Sequence, residues 1–209
     1  MRQEQTKLLI FDFDGTLAAT KQLYLFAIYR TLKQHGYDFT KKQISRLLGM
    51  PLWLLLPAFG IKNYSKLAKE INAKVLKKAH KLRACPDISE AKKIINSHNF
   101  RTALVTNSLK EFVLPFLSEH KLMFDFIFAL GKKKVNKEKI IRFLLRKLRI
   151  KRENCYYIAD RAYDVEIAKK AGCVGISIAN RFSWSTRREI VAQRPEKVIR
   201  NLNELKKLF

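Results

Sequence analysis

Two aspartates, Asp12 and Asp14, stand two residues apart at the end of the apolar run Leu8–Phe13, and Gly15-Thr16-Leu17 follows them. In an extended segment that spacing puts both carboxylates on one side, and glycine lets the chain turn sharply just beyond. Paired acids at the carboxyl end of a strand suit a hard cation with oxygen ligands, such as Mg²⁺. The plainer alternative is an Asx-rich turn with solvated acids. Two further clusters bear on the choice. The run Thr102–Val105 leads into Thr106-Asn107-Ser108, whose hydroxyls and free amides ahead of a helix make either a phosphate cradle or an N-cap. The run Tyr156–Ala159 leads into Asp160, and Asp164 follows four residues on, placed for a metal site or for the helix dipole. Three unrelated caps would account for these clusters. One shared site is the more economical reading, because open parallel sheets bind ligands beyond the carboxyl ends of their strands.

The elements that must position these residues alternate. Strands are expected at Leu8–Phe13, Thr102–Val105, Phe126–Ala129, Tyr156–Ala159 and Val174–Ile178, with helices at Ser89–Ser97, Lys137–Arg149 and Asp164–Ala171, the last stopped by Gly172. Ile140, Ile141, Leu144, Leu145 and Leu148 share helical spacing, with Arg142, Arg146 and Arg149 on another face. This rhythm predicts an α/β fold with a doubly wound parallel sheet. Residues 18–83 break it. Leu23–Lys33, Lys41–Leu48, Pro51–Phe59 and Ser65–Leu82 all read as helices, with no convincing strand between them. The expected organisation is an α/β core from residues 1–17 and 84–209, with a helical cap at 18–83 inserted after the first strand. Trp53, Leu54, Leu55 and Leu56 are assigned to the small core of that cap.

Asp12-Phe13-Asp14-Gly15-Thr16-Leu17, the strand-ending Thr106-Asn107, and the segment Ala159–Cys173 (ADRAYDVEIAKKAGC) run in the order typical of the haloacid dehalogenase-like superfamily. Over nearly its whole length the chain resembles the group of those hydrolases that carries a helical cap after the first strand, which includes phosphoglycolate phosphatase-like enzymes. The resemblance implies that Asp12 is a nucleophile forming an aspartyl-phosphate. It implies that Asp14 is the general acid and then the general base. Thr106 and the Asn107 amide are implied to hold the phosphoryl oxygens. Mg²⁺ is implied between Asp12, the Asp14 carbonyl and Asp160, with Asp164 on the ion or orienting one of its ligands. The family also needs a phosphate-binding lysine. Lys132, Lys133, Lys134 and Lys137 crowd the right loop; Lys134 fits the pattern best, with Asn136 as the helix N-cap, and Lys137 is the second choice.

The chain departs from the family at Ala159, where Gly is usual, and at Arg161, where a small hydroxyl residue is usual. Arg161 would bind an anionic substrate or pair with Asp164. An acid at position 14 favours phosphoryl chemistry over dehalogenation, which needs no acid for the leaving group.

Forty-three basic against 18 acidic residues give a formal charge of +25. Such a field attracts phosphates, nucleic acid or anionic lipid, although solvated faces carry most charge of this kind. Between Lys132 and Arg152 there are eleven basic residues and one acid, Glu138. A nucleic-acid module on the same core, with weak or end-directed catalysis, is therefore the rival to a phosphatase for small phosphomonoesters. A cap that closes over its substrate favours the small one. No apolar run has the length of a membrane span, the first residues do not make a signal peptide, and Cys85, Cys155 and Cys173 lack metal spacing. A cytoplasmic location is expected. Oligomeric state and the particular phosphomonoester are not written in these residues.

Overall fold

Leu8, Leu9, Ile10 and Phe11 are all fully buried, as a central parallel strand covered on both faces must be. The computed structural model describes residues 6–130 and 135–209. The buried run forms β1 (Lys7–Phe11). It is joined by β2 (Phe100–Leu109), β3 (Phe126–Leu130), β4 (Cys155–Ala159), β5 (Val174–Ile178) and β6 (Lys197–Ile199). All pairings are parallel, and the order is β3-β2-β1-β4-β5-β6. The chain thus builds outward from β1 on one side, then returns to the other side with β4. The β1/β4 boundary is the topological switch point, where such sheets open a crevice at their carboxyl ends.

Among the described residues, four α-helices lie in the stretch Thr20–Arg83 and five others lie between or beside the later strands. The four are α1 (Lys21–Gln34), α2 (Lys41–Leu47), α3 (Leu52–Ala58) and α4 (Tyr64–Leu76); the five are α5 (Ile88–Ile95), α6 (Lys110–His120), α7 (Lys137–Leu148), α8 (Ala162–Ala171) and α9 (Arg187–Ala192). Ile141, Leu144 and Leu145 of α7 and Ile167, Ala168 and Ala171 of α8 pack with Leu8, Ile10, Ala103, Val105, Tyr157 and Ala159 of the sheet in one apolar core. Phe13 packs edge-on against Phe112 and Phe116 of α6, at ring-centroid separations of 5.9 and 5.1 Å. Gly172 ends α8 at φ +77° and donates its N–H to the Ala168 carbonyl, a left-handed helix stop.

The chain divides into two compact units, one running to Ala19 and resuming at Ala84, the other spanning Thr20–Arg83. Within the first unit the two ends flanking the helical stretch are tied together. Cys85 donates its N–H to the Leu17 carbonyl at 2.8 Å, and Ala18 bridges to Ala84. The helical unit buries Ile28, Leu32, Ile44, Leu55, Leu56, Ile71 and Val75. Leu54, by contrast, is 53% exposed, so only part of the Trp53–Leu56 run is core. Glu70 on α4 pairs with Lys74 at 2.7 Å and reaches His35, just beyond α1, at 2.8 Å, while Lys74 also donates to Thr31.

Several boundaries differ from the sequence-based expectation. The helix expected to Leu82 ends at Leu76, one residue after Val75, its last buried side chain; without packing a helical turn has little to hold it. Strand β2 runs on to Leu109, but its pairing with β3 slips between Val105 and Leu109. The slip leaves Thr106, Asn107 and Ser108 outside the regular ladder, as irregularities beside functional sites often do. Strand β6 and helix α9 are short elements that the apolar pattern does not announce.

Candidate active site

The loop after β1 turns because Gly15 adopts φ +73°, and space there is as restrictive as conformation. A Cβ on Gly15 would lie 2.1 Å from Asp160 Oδ2 and 2.7 Å from Trp184 Cδ1. The turn is tightened by Gly15 N–H to the Ala18 carbonyl and by Leu17 N–H to the Phe13 carbonyl. Asp12 N–H donates across the switch point to the Ile158 carbonyl at 2.9 Å. This fixes Asp12 beside the end of β4, where Asp160 follows.

One carboxylate oxygen from each of Asp12, Asp160 and Asp164 lies within 4.8 Å of the other two, and all three residues are buried. Lys137, the first residue of α7, reaches into the cluster. Its Nζ lies 3.0 Å from Asp12 Oδ2 and 2.9 Å from Asp164 Oδ1, with only 7% of the side chain exposed. Asn136 caps α7 by accepting from the Lys139 N–H at 3.0 Å, which sets where that first turn begins. Lys134, the first choice for the phosphate-binding lysine, lies outside the described residues, as do Lys132 and Lys133. The second choice, Lys137, is therefore the one seen in the cluster.

Asp14 is buried and accepts a hydrogen bond from the Ser108 hydroxyl. Thr106, fully buried, accepts from the Ser108 N–H at 3.0 Å, which leaves its own hydroxyl proton to donate. The Asn107 side chain accepts from the Val135 N–H at 3.1 Å and so ties the end of β2 to the approach to α7. The seven sequence-predicted site residues other than Lys134 thus lie toward the carboxyl ends of β1, β2 and β4, on the segments that follow, or, for Lys137, at the head of α7 after β3.

Two participants were not anticipated, and a third, Ser108, figures in the sequence only as part of the Thr106-Asn107-Ser108 cluster. Tyr157, on β4, donates its hydroxyl to Asp164 Oδ1 at 2.8 Å. The Trp184 backbone N–H donates to Asp160 Oδ2, and the ring packs 4.5 Å from the guanidinium of Arg161. Ser108 holds Asp14. A tyrosine inside an apolar strand reads as core, and a donor that is a backbone amide leaves no trace in residue type. Only Ser108, beside Thr106-Asn107, carried a signal.

Crowding acids in a dry place has electrostatic consequences. Burial raises the Asp12 carboxyl above its ordinary range; Lys137 opposes this and the charge of Asp164 reinforces it. Burial likewise drives Asp160 well up, against the pull of Arg161. Burial alone would lower the Lys137 ammonium, but Asp12 and Asp164 outweigh it and its pKa rises. Asp14 Oδ1, Asp160 Oδ1 and Asp164 Oδ2 are buried without a hydrogen-bond partner among the described residues. Converging carboxylate oxygens that lack protein donors fit a hard divalent cation. The same cluster brings the carboxylates of Asp12 and Asp164 against the Lys137 ammonium, with Asp160 beside them.

Elsewhere the chain offers less chemistry. The three cysteines are buried and unpaired, and burial pushes the Cys85 thiol up. Arg142 is tied to Glu138 and to the Lys170 carbonyl, which takes one member out of the α7 basic stripe. Among the described residues no helix is long and apolar enough to cross a membrane.

The chain is similar to known proteins. Residues 9–178 match the family model for haloacid dehalogenase-like hydrolases. A phosphoglycolate phosphatase from Vibrio parahaemolyticus is 26% identical over 223 residues, covering 98% of this chain and 96% of its own. A phosphorylated carbohydrates phosphatase from Thermotoga maritima is 29% identical, covering 78% of this chain and 81% of its own. Among solved structures, a haloacid dehalogenase-like hydrolase from Streptococcus pneumoniae superposes with a TM-score of 0.83 at 17% identity, covering 98% of each chain. The family match spans Asp12, Asp14, Thr106, Asn107, Lys137, Asp160 and Asp164, and the chain belongs to the haloacid dehalogenase-like hydrolases.

Proposed function

We propose that the chain is a Mg²⁺-dependent phosphatase that hydrolyses a small phosphomonoester through an aspartyl-phosphate on Asp12. The observation that carries this reading is the convergence of Asp12, Asp160 and Asp164 around Lys137 at the sheet's switch point. The relatives named as phosphatases of small phosphorylated compounds support the substrate class.

In the first step an Asp12 oxygen forms a bond to phosphorus while the bond to the leaving oxygen breaks, and Asp14 gives its proton to that oxygen. In the second, Asp14 takes a proton from water, the water oxygen bonds to phosphorus, and the Asp12–phosphorus bond breaks to release phosphate. Lys137 favours the anionic form of Asp12 against its burial and offers a positive charge to the phosphoryl oxygens. The Thr106 hydroxyl and the Asn107 amide donate to those oxygens. Mg²⁺ would be held by Asp12, Asp160 and the Asp14 carbonyl, with Asp164 on the ion or orienting a ligand, and would neutralise charge on the phosphoryl group. The three reduced cysteines suit a cytoplasmic setting.

Phosphate release from p-nitrophenyl phosphate, and then from a panel including 2-phosphoglycolate and sugar phosphates, tests the proposal. Turnover that needs Mg²⁺, stops with EDTA, and is lost in both Asp12→Asn and Asp14→Asn is expected. Metal-independent turnover, or turnover surviving Asp12→Asn, would overturn it.

A further inference from the structure

We infer that Arg161 is a fixed counter-charge of the acidic cluster, and that it sets how tightly the divalent ion is held. This rests on the metal reading proposed above and concerns a residue that takes no part in the proposed chemistry.

Arg161 directly follows Asp160 and stands at the head of α8. It is partly buried, and its guanidinium lies 4.5 Å from the Trp184 ring. That ring is itself held in place: Trp184 is 6% exposed, its N–H bonds Asp160, and its edge closes on Gly15. The Arg161 charge therefore sits on a rigid platform attached to two of the loops that carry the acids. Stacking on an indole retains a guanidinium without neutralising it.

The formal charges show what this does. Among the described residues the crevice gathers four carboxylates, Asp12, Asp14, Asp160 and Asp164, and two cations, Lys137 and Arg161. Two negative charges remain in excess, which one divalent cation cancels. Without Arg161 the excess is three. The Arg161 charge is felt across the cluster: it favours the ionised forms of Asp12 and Asp160 and opposes the charge of Lys137. Repulsion between Arg161 and the ion should weaken binding while keeping the acids apart and ordered before the ion arrives.

The test is titration of metal-stripped protein with Mg²⁺ alone, read by calorimetry and by the rise in melting temperature, without substrate. Arg161→Met keeps an unbranched apolar side chain at this position and removes the charge, and Arg161→Gln is a second uncharged variant should the first not fold. Either is expected to bind Mg²⁺ about tenfold more tightly than the parent, the smaller end of what a neighbouring charge does to an ionic equilibrium. Arg161→Lys should stay within about threefold of the parent, since it keeps the charge and alters only its placement. Equal or weaker binding by the uncharged variants overturns the inference. So does an unchanged Mg²⁺ affinity with a raised KM, which would make Arg161 a substrate contact. No Mg²⁺ binding by parent or variants would sink the metal reading itself, and this inference with it.

Discussion

The hydroxyl of Ser108 donates a hydrogen bond to Oδ2 of Asp14, joining two buried residues 94 positions apart in sequence. The bond fixes the rotamer of the group proposed to move protons. Ser108→Ala should lower kcat about tenfold, the scale of a hydrogen bond to a charged group, with little change in KM. Ser108→Thr should recover most of the loss, because it restores the hydroxyl. Steady-state kinetics on p-nitrophenyl phosphate would read both.

Lys137 bridges Asp12 and Asp164 from inside the protein. Removing the ammonium leaves two buried carboxylates facing each other. Lys137→Met should destabilise the metal-free protein by about 3 kcal/mol in urea denaturation, as expected when one partner of a buried pair is lost. Saturating Mg²⁺ should return part of that stability but not the activity.

Gly15 is constrained twice, by φ +73° and by the 2.1 Å that would separate a Cβ from Asp160 Oδ2. Gly15→Ala should push Asp160 aside and reduce Mg²⁺ affinity well beyond any loss in melting temperature. An alanine variant that binds Mg²⁺ like the parent would show that the turn yields without disturbing Asp160.

Glu70 has its carboxyl held below the ordinary value of 4.5 by hydrogen bonds from Lys74 and then His35. A depressed folded-state pKa stabilises the protein above the unfolded value, and the benefit disappears as pH falls through the folded one. Melting temperatures of the parent and Glu70→Gln should therefore differ at pH 7 and converge as the pH drops below 4.5 and Glu70 takes up its proton. A difference that persists unchanged into acid would mean that packing, not charge, is what Glu70 contributes.

The charge of +25 calls for its own measurement. The helical unit Thr20–Arg83 holds 14 basic and two acidic residues, and both acids are already paired, Asp38 with Lys33 and Glu70 with Lys74. Fluorescent single-stranded oligonucleotides should bind with a steep salt dependence and little affinity at physiological ionic strength, the signature of a diffuse field. Tight binding at that salt, without phosphatase turnover, would favour the nucleic-acid module instead.

Much of the fold could be read from the chain because buried parallel strands leave compact apolar runs, and because Asp12, Thr106 and Asp160 each follow such a run directly. What escaped has physical reasons. The three-residue strand β6 is too short for any period to appear. Tyr157 looks like packing until the α8 turn brings Asp164 beneath its hydroxyl. Trp184 acts through its backbone, and 24 residues separate it from the aspartate it bonds. Spacing along the loop favours Lys134, which lies outside the described residues, while the reach of Lys137 into the crevice depends on where α7 begins, which the Asn136 cap decides.

The hydrogen bond from Cys85 to Leu17 and the bridge between Ala18 and Ala84 fasten the neck of the helical excursion next to the sheet. The closure penalty of a chain segment grows only with the logarithm of its length, about 0.6 kcal/mol per doubling. The sheet is thus nearly indifferent to what is spliced in beyond that clasp. Lengthening or trimming the excursion should therefore cost the sheet little in closure entropy.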